Sequence, residues 1–127
     1  MAQPPLTLFG AAQRAMSAQL VRMNAAASNL ANAGTVTGSE ATAYRPIRTV
    51  FAAEVDRASG LTTVRVDGVM RETAQPIKSY EPDHPLADAQ GNVWTAPVDE
   101  NSEMVEMLDA SRQYQNLVEA LSTAKQL

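Results

Sequence analysis

Apolar residues recur at helical spacing over two long stretches at the ends of the chain, and the stretch between them loses that spacing. From Leu8 to Leu30, Phe9, Met16, Met23 and Leu30 return every seven residues with Gln13, Leu20 and Ala27 interleaved, the a/d seam of a helix that packs sideways against another. Eight alanines between Ala11 and Ala31 raise helix propensity and let a neighbouring backbone come close. Thr7 is the expected N-cap, Pro4 and Pro5 lie just outside, and Asn32 with Gly34 marks the stop. A second pattern begins after Pro97, with Asp99, Asn101 or Ser102 as candidate caps and Glu103 and Glu106 in the early turns, where the helix dipole favours negative charge. Its apolar positions are Met104, Met107, Leu108, Tyr114, Leu117, Val118, Leu121 and Ala124, again three and four apart, and Lys125 suits the opposite end of the dipole.

The middle is rich in Gly, Thr, Val and Pro and reads as turns and short strands. Residues 44–51 (YRPIRTVF) have strand composition, with Pro46 restricting them to an edge or a bulge. Residues 61–70 (LTTVRVDGVM) alternate, with Val64 and Val66 on one face, and Asp67-Gly68 fits either a tight hairpin turn or a bulge in one continuous strand. Residues 81–85 (EPDHP) are turn-rich, and Gln90-Gly91-Asn92 before Val93-Trp94 suggests a small hairpin or loop. The expected architecture is α+β: an N-terminal helix in segment 1–34, a β-rich insert over 35–98, and a C-terminal helix in segment 99–127, the two helices forming a coiled-coil-like layer.

Composition makes the core thin. Three Tyr, two Phe and one Trp leave Ala, Val, Leu and six Met to supply most of the apolar surface of the 127 residues. Whether the seams mate within one chain or between chains is open by periodicity alone; their position at the chain ends, their small residues and the modest apolar content of the insert favour partners. Charge agrees. Residues 1–39 carry Arg14 and Arg22 and no acid (+2), whereas residues 99–127 carry six acids against Arg112 and Lys125 (−4), so the two ends attract. A net charge of −4 disfavours nucleic acid as a partner. Residues 1–6 lack the basic and apolar regions of a secretory signal, and no apolar run is long enough for a membrane span, so no direct membrane insertion is expected.

Candidate chemistry is sparse. His84 is the one histidine and the chain holds no cysteine, so a His-centred metal site would need carboxylates such as Asp83 and Asp88; flanked by Pro82 and Pro85, His84 reads as a turn residue. Ser111, Arg112 and Tyr114 share a helical neighbourhood without a base for the serine. Neither nucleotide-binding, zinc-protease nor nucleophile-elbow patterns occur, and Asp88 onward lacks the ligand spacing of a calcium loop. The expectation is a protein that is not an enzyme and needs no cofactor.

Ser28-Asn29-Leu30-Ala31-Asn32-Ala33, followed by Thr35, Gly38 and Tyr44-Arg45, resembles the SNxAN…T…G…YR signature of flagellar axial proteins. Residues 80–93 (YEPDHPLADAQGNV), with Pro82, His84, Pro85 and Gly91, are similar to the Y-[DE]-P-G-H-P-x-A-x-x-x-G-x-V stretch of the FlgC-type proximal rod family, and residues 103–121 (EMVEMLDASRQYQNLVEAL) resemble its C-terminal helix. Asp83 stands in place of a glycine, Pro46-Ile47 interrupts the family's strand and residues 99–102 differ from its usual approach to the helix. The resemblance implies a structural part of the basal body, made in the cytoplasm, exported unfolded by the flagellar type III apparatus without a cleaved signal peptide, and built into the periplasmic rod that transmits motor torque. It implies copies of itself, other rod proteins and adjoining ring components as partners, and it favours the bulge at Asp67-Gly68. On this reading Phe9, Met16, Leu20, Met23 and Leu30 pack with Met104, Met107, Leu108, Tyr114, Leu117 and Leu121 of the same and adjoining subunits. Asn29 and Asn32 cap the first helix or bond a neighbour's backbone. A soluble helical adaptor or regulator is the alternative.

Overall fold

A computed structural model describes residues 7–126. The expectations for Pro4, Pro5 and the N-terminal leader fall on residues outside these. The fold is α+β, two long helices flanking a small β region. Helix α1 (Leu8–Ala31) starts where Thr7 Oγ1 accepts the Gly10 N–H at 3.0 Å, and it ends at Asn32, whose side-chain amide donates back to the Ser28 carbonyl at 2.9 Å. Strand β1 is Val36–Thr37, β2 Ile47–Val55, β3 Thr62–Arg71, β4 Ile77–Tyr80 and β5 Asn92–Thr95. Helix α2 (Glu100–Gln126) follows Asp99, whose Oδ1 accepts the Asn101 N–H at 3.0 Å; of the three candidate caps, Asp99 serves.

Strands β2 and β3 form an antiparallel hairpin whose register steps from Val50 opposite Gly68 to Phe51 opposite Val66. Asp67 is the extra residue, so Asp67-Gly68 is a bulge in one continuous strand, and Gly68, at φ +143°, takes a conformation that side chains resist. Pro46 sits just before β2, where its missing N–H breaks no ladder bond. The strand reaches Val55, four residues beyond the stretch that sequence composition suggests, because pairing with β3 carries Ala52 and Ala53, which have little strand preference of their own.

The second sheet has the order β1-β5-β4. Strands β4 and β5 are joined by residues 81–91, which bond among themselves and to the start of β5: Asp88 Oδ1 accepts the N–H groups of Gln90 and Asn92 at 2.9 and 2.8 Å. Gly91 lies at φ +80°, and a Cβ there would stand 2.8 Å from the Tyr80 ring and 3.1 Å from Pro82. The glycine is thus required twice over. The loop also rests on Gly38, where a Cβ would meet the Leu86 carbonyl oxygen at 2.6 Å.

Helix α1 is the hub, packed against α2 and against the β2–β3 hairpin. Its innermost side chains are small: Ala18, Ala25 and Ala26 are buried, as is Ala110 of α2. Small residues on the shared face let the backbones approach, which is why so thin a core closes at all.

Candidate functional site

The inward stripe of α1 runs through Ala11, Ala15, Ala18, Arg22, Ala25 and Asn29, and that of α2 through Glu103, Met107, Ala110, Tyr114, Leu117 and Leu121, each at alternating spacings of three and four. The helices run antiparallel: Asn29 meets Glu103, Arg22 meets Glu106 and Asp109, and Phe9 lines one groove with Leu121. Part of the charge asymmetry of the two chain ends is therefore spent inside one chain. Arg22 donates to both carboxylates, at 3.0 Å to Glu106 Oε2 and 2.7 Å to Asp109, and to Gln19 at 3.2 Å.

The Arg22 guanidinium holds the Glu106 carboxyl below the ordinary glutamate range. A group whose pKa is lower folded than unfolded stabilises the fold above its unfolded pKa and loses that contribution as pH falls through the folded value. The urea midpoint is accordingly expected to fall as pH drops below about 4.5, and Glu106→Gln to flatten part of that fall; an unchanged profile in Glu106→Gln would show that the pair adds nothing.

At the other end of the helix pair lies a polar clasp. Asn29 is 0% exposed and uses its amide fully. Its Oδ1 accepts the Ile47 N–H at 2.8 Å and the Tyr44 hydroxyl at 2.7 Å, while its Nδ2 donates to the Ile47 carbonyl at 3.0 Å and to Glu103 at 3.1 Å. Asn29 therefore imitates a strand partner for Ile47 and starts β2 against the helix. Because the Tyr44 hydroxyl gives its proton to Asn29, the Ser28 hydroxyl is the donor in the 3.0 Å bond between Ser28 and Tyr44. Arg71 lies 5.1 Å over the Tyr44 ring and bonds the Arg45 carbonyl at 2.7 Å, and Arg45 reaches the Ala74 carbonyl at 2.8 Å. Glu103, 1% exposed, completes the clasp by pairing with Arg48, which also binds Glu72.

The structure thus brings Ser28, Asn29, Tyr44 and Arg45 together as a joint between α1 and the hairpin, and keeps Asn32 as the helix cap. Asn29 bonds backbone of its own chain at Ile47. Pro82, His84, Pro85 and Gly91 belong to the separate 81–91 loop, where His84 Nδ1 accepts the Leu86 N–H at 3.0 Å; His84 staples a turn. Sequence reading missed Arg48 and took Glu103 for a dipole residue, although its spacing from Met107 and Ala110 sets it on the inward stripe.

The large apolar seam residues fall elsewhere. Phe9 and Leu20 are exposed, Met16, Met23 and Leu30 half-buried, and Met104 and Leu108 project from α2 beside Val105. Met107, Tyr114, Leu117 and Leu121 are half-buried along the pair. One chain leaves much of its greasiest helical surface uncovered, beyond what scattered surface residues account for.

Comparison with known proteins gives a consistent result. The family described as flagella basal body rod protein matches residues 9–38, and that described as flagellar basal body rod FlgEFG protein C-terminal matches residues 89–127. The chain is 45% identical over 124 residues to the flagellar basal-body rod protein FlgC of Salmonella typhimurium, spanning 96% of this chain and 91% of that protein. The Escherichia coli O157:H7 protein of that name is equally similar, at 45% with the same coverage. That of Yersinia enterocolitica is 41% identical over 122 residues, again covering 96% of this chain and 91% of its own length.

Proposed function

Since the chain belongs to the flagellar basal-body rod proteins of FlgC type and is a structural subunit of the rod, we propose that it polymerises through its terminal helices. The observation that supports this is the division of labour on α1: small and polar side chains face inward, and Leu20 is left exposed. A lone helix pair in water gains nothing from that outer surface, whereas a neighbour covering it would gain about 25 cal/mol per Å² of apolar surface. The helices of segments 1–34 and 99–127 then form the inner layer of the tube and segment 35–98 the outer contacts. Copies of the chain, other rod proteins and ring components are the neighbours, the periplasm is the compartment, and the flagellar type III apparatus delivers the chain unfolded without a cleaved signal. No turnover and no cofactor belong to this role. Torque passes along the tube because every subunit shares helices with the next.

The test is complementation of cells that lack their own rod subunit of this type. Leu20→Asp, exposed in the single chain, is expected to keep the far-ultraviolet spectrum and urea midpoint of the unaltered protein, yet to be absent from purified basal bodies and to leave cells non-motile. Normal motility with Leu20→Asp would remove α1's outer face from the assembly.

A further inference from the structure

Two grooves share a floor. One, of about 300 Å³, lies between α1 and the C-terminal end of α2, walled by Leu8, Phe9, Leu117 and Leu121; the other, of about 430 Å³, lies between α1 and the hairpin, walled by Phe51 and Val64. Ala11 and Ala15 line both, so the two grooves form a single trough whose bottom is the alanine face of α1 and whose sides are α2 and the hairpin. Thr63, 7% exposed on the hairpin side, carries a buried hydroxyl that has no hydrogen-bond partner among the described residues, as on a wall the chain does not finish by itself.

The matching surface lies at the other end of the same helix pair. Met104 and Val105, exposed by 50 and 66%, each stand about one turn from Leu108, exposed by 64%, on the outer face of α2. Roughly 20 Å of helix separates Leu108 from Leu121 in the trough, so a chain cannot seat its own stripe. Charges complement: Arg14 and Lys125 outnumber Glu119 at the trough end, whereas Asp99 and Glu100 outnumber Arg112 around the stripe, Asp109 being paired with Arg22.

Resting on the rod-subunit reading, we propose that the trough receives the Met104–Val105–Leu108 stripe of a second copy. Knob and hole lie on different parts of the surface, so the contact is heterologous: each chain offers one knob and one hole, and the assembly extends with a fixed direction instead of closing into a two-fold dimer. Recognition is a helix laid in a groove, with the alanine floor setting how deeply the stripe enters.

The absence of cysteine makes the test clean. Ala11→Cys and Leu108→Cys are expressed together in cells lacking their own subunit, and isolated basal bodies are oxidised. Cross-linked dimers are expected with both variants present and not with either alone, and chains carrying both substitutions are expected to give a ladder. Leu108→Cys linking to itself, or basal bodies holding both variants without a cross-link, would overturn the docking while leaving the rod role in place; basal bodies that exclude even the unaltered chain would remove the rod role itself. Purified protein supplies a second readout by sedimentation velocity. Leu108→Asp and Ala11→Glu should each stay monomeric where the unaltered chain associates, and their mixture should stop at dimers. An unaltered chain that stays monomeric at every concentration overturns the proposal.

Discussion

Asn29→Ala is expected to cost about 3 to 5 kcal/mol of folding stability, the largest single loss in the chain, since four hydrogen bonds of a fully buried amide disappear together. The loss falls on groups that stay buried or half-buried: the N–H and carbonyl of Ile47, the Tyr44 hydroxyl and the Glu103 carboxylate. The Ile47 groups must find water or go without, whereas Tyr44 keeps Ser28 and Glu103 keeps Arg48. Set against a total of about 5 to 15 kcal/mol for a small domain, the expected state is a chain whose hairpin has come away from α1 or which has unfolded altogether. Asn29→Asp sharpens the test. It keeps an acceptor for Ile47 N–H and Tyr44, but loses both N–H donors and sets a second carboxylate against Glu103, so it should be nearly as damaging as alanine. A urea midpoint within about 1 kcal/mol of the unaltered protein for either variant would show that the joint is held by packing and not by this amide.

Glu103→Leu is the second large effect, and its pairing with Arg48→Met tells more than either alone. Glu103 is the larger of the two buried polar anchors, at 1% exposure, yet its partner Arg48 is 39% exposed, so solvent screens much of the attraction. The expected loss for Glu103→Leu is about 2 kcal/mol, from an arginine left facing an apolar wall and an Asn29 N–H without a partner. Arg48→Met alone strands the buried carboxylate and should cost about 3 kcal/mol. The double variant should recover part of the sum, with a coupling of about 1 to 2 kcal/mol, because both charges leave together while the Asn29 donor stays unmet. Strict additivity in the double variant would mean that Glu103 and Arg48 act through separate partners.

These two results bear on function through position. The clasp ties the hairpin to α1 at the Asn29 end, and the hairpin supplies one wall of the trough at the Ala11 end. Loosening the first should therefore weaken assembly at the second.

Much of the design was legible along the chain. Helix existence followed from apolar spacing, the cap at Thr7 from a hydroxyl before an apolar run, and the stop from Asn32. The attraction between the chain ends was legible as a charge count, and it materialises as Arg22 between Glu106 and Asp109. The grouping of Ser28, Asn29, Tyr44 and Arg45 was visible as a motif, but its work was not: that Asn29 poses as a strand for Ile47 depends on the chain returning past the helix after the fifteen residues between α1 and β2.

What the sequence by itself determined is the set of periodic elements and the family signature, since both depend on residues close in the chain or on fixed order. What only the tertiary structure decided is which face of each helix turns inward. Large side chains at 9, 16, 23 and 30 make the more conspicuous stripe, yet the stripe through Ala18, Ala25 and Asn29 is the one the chain buries. Hydrophobicity ranks residues by what they gain from leaving water, and that ranking favours the first stripe. Close approach of α2 and the hairpin to one helix needs small side chains and satisfied polar groups on the shared face, a condition set by three elements meeting in space, and it leaves Phe9 exposed and Met16, Met23 and Leu30 half-buried.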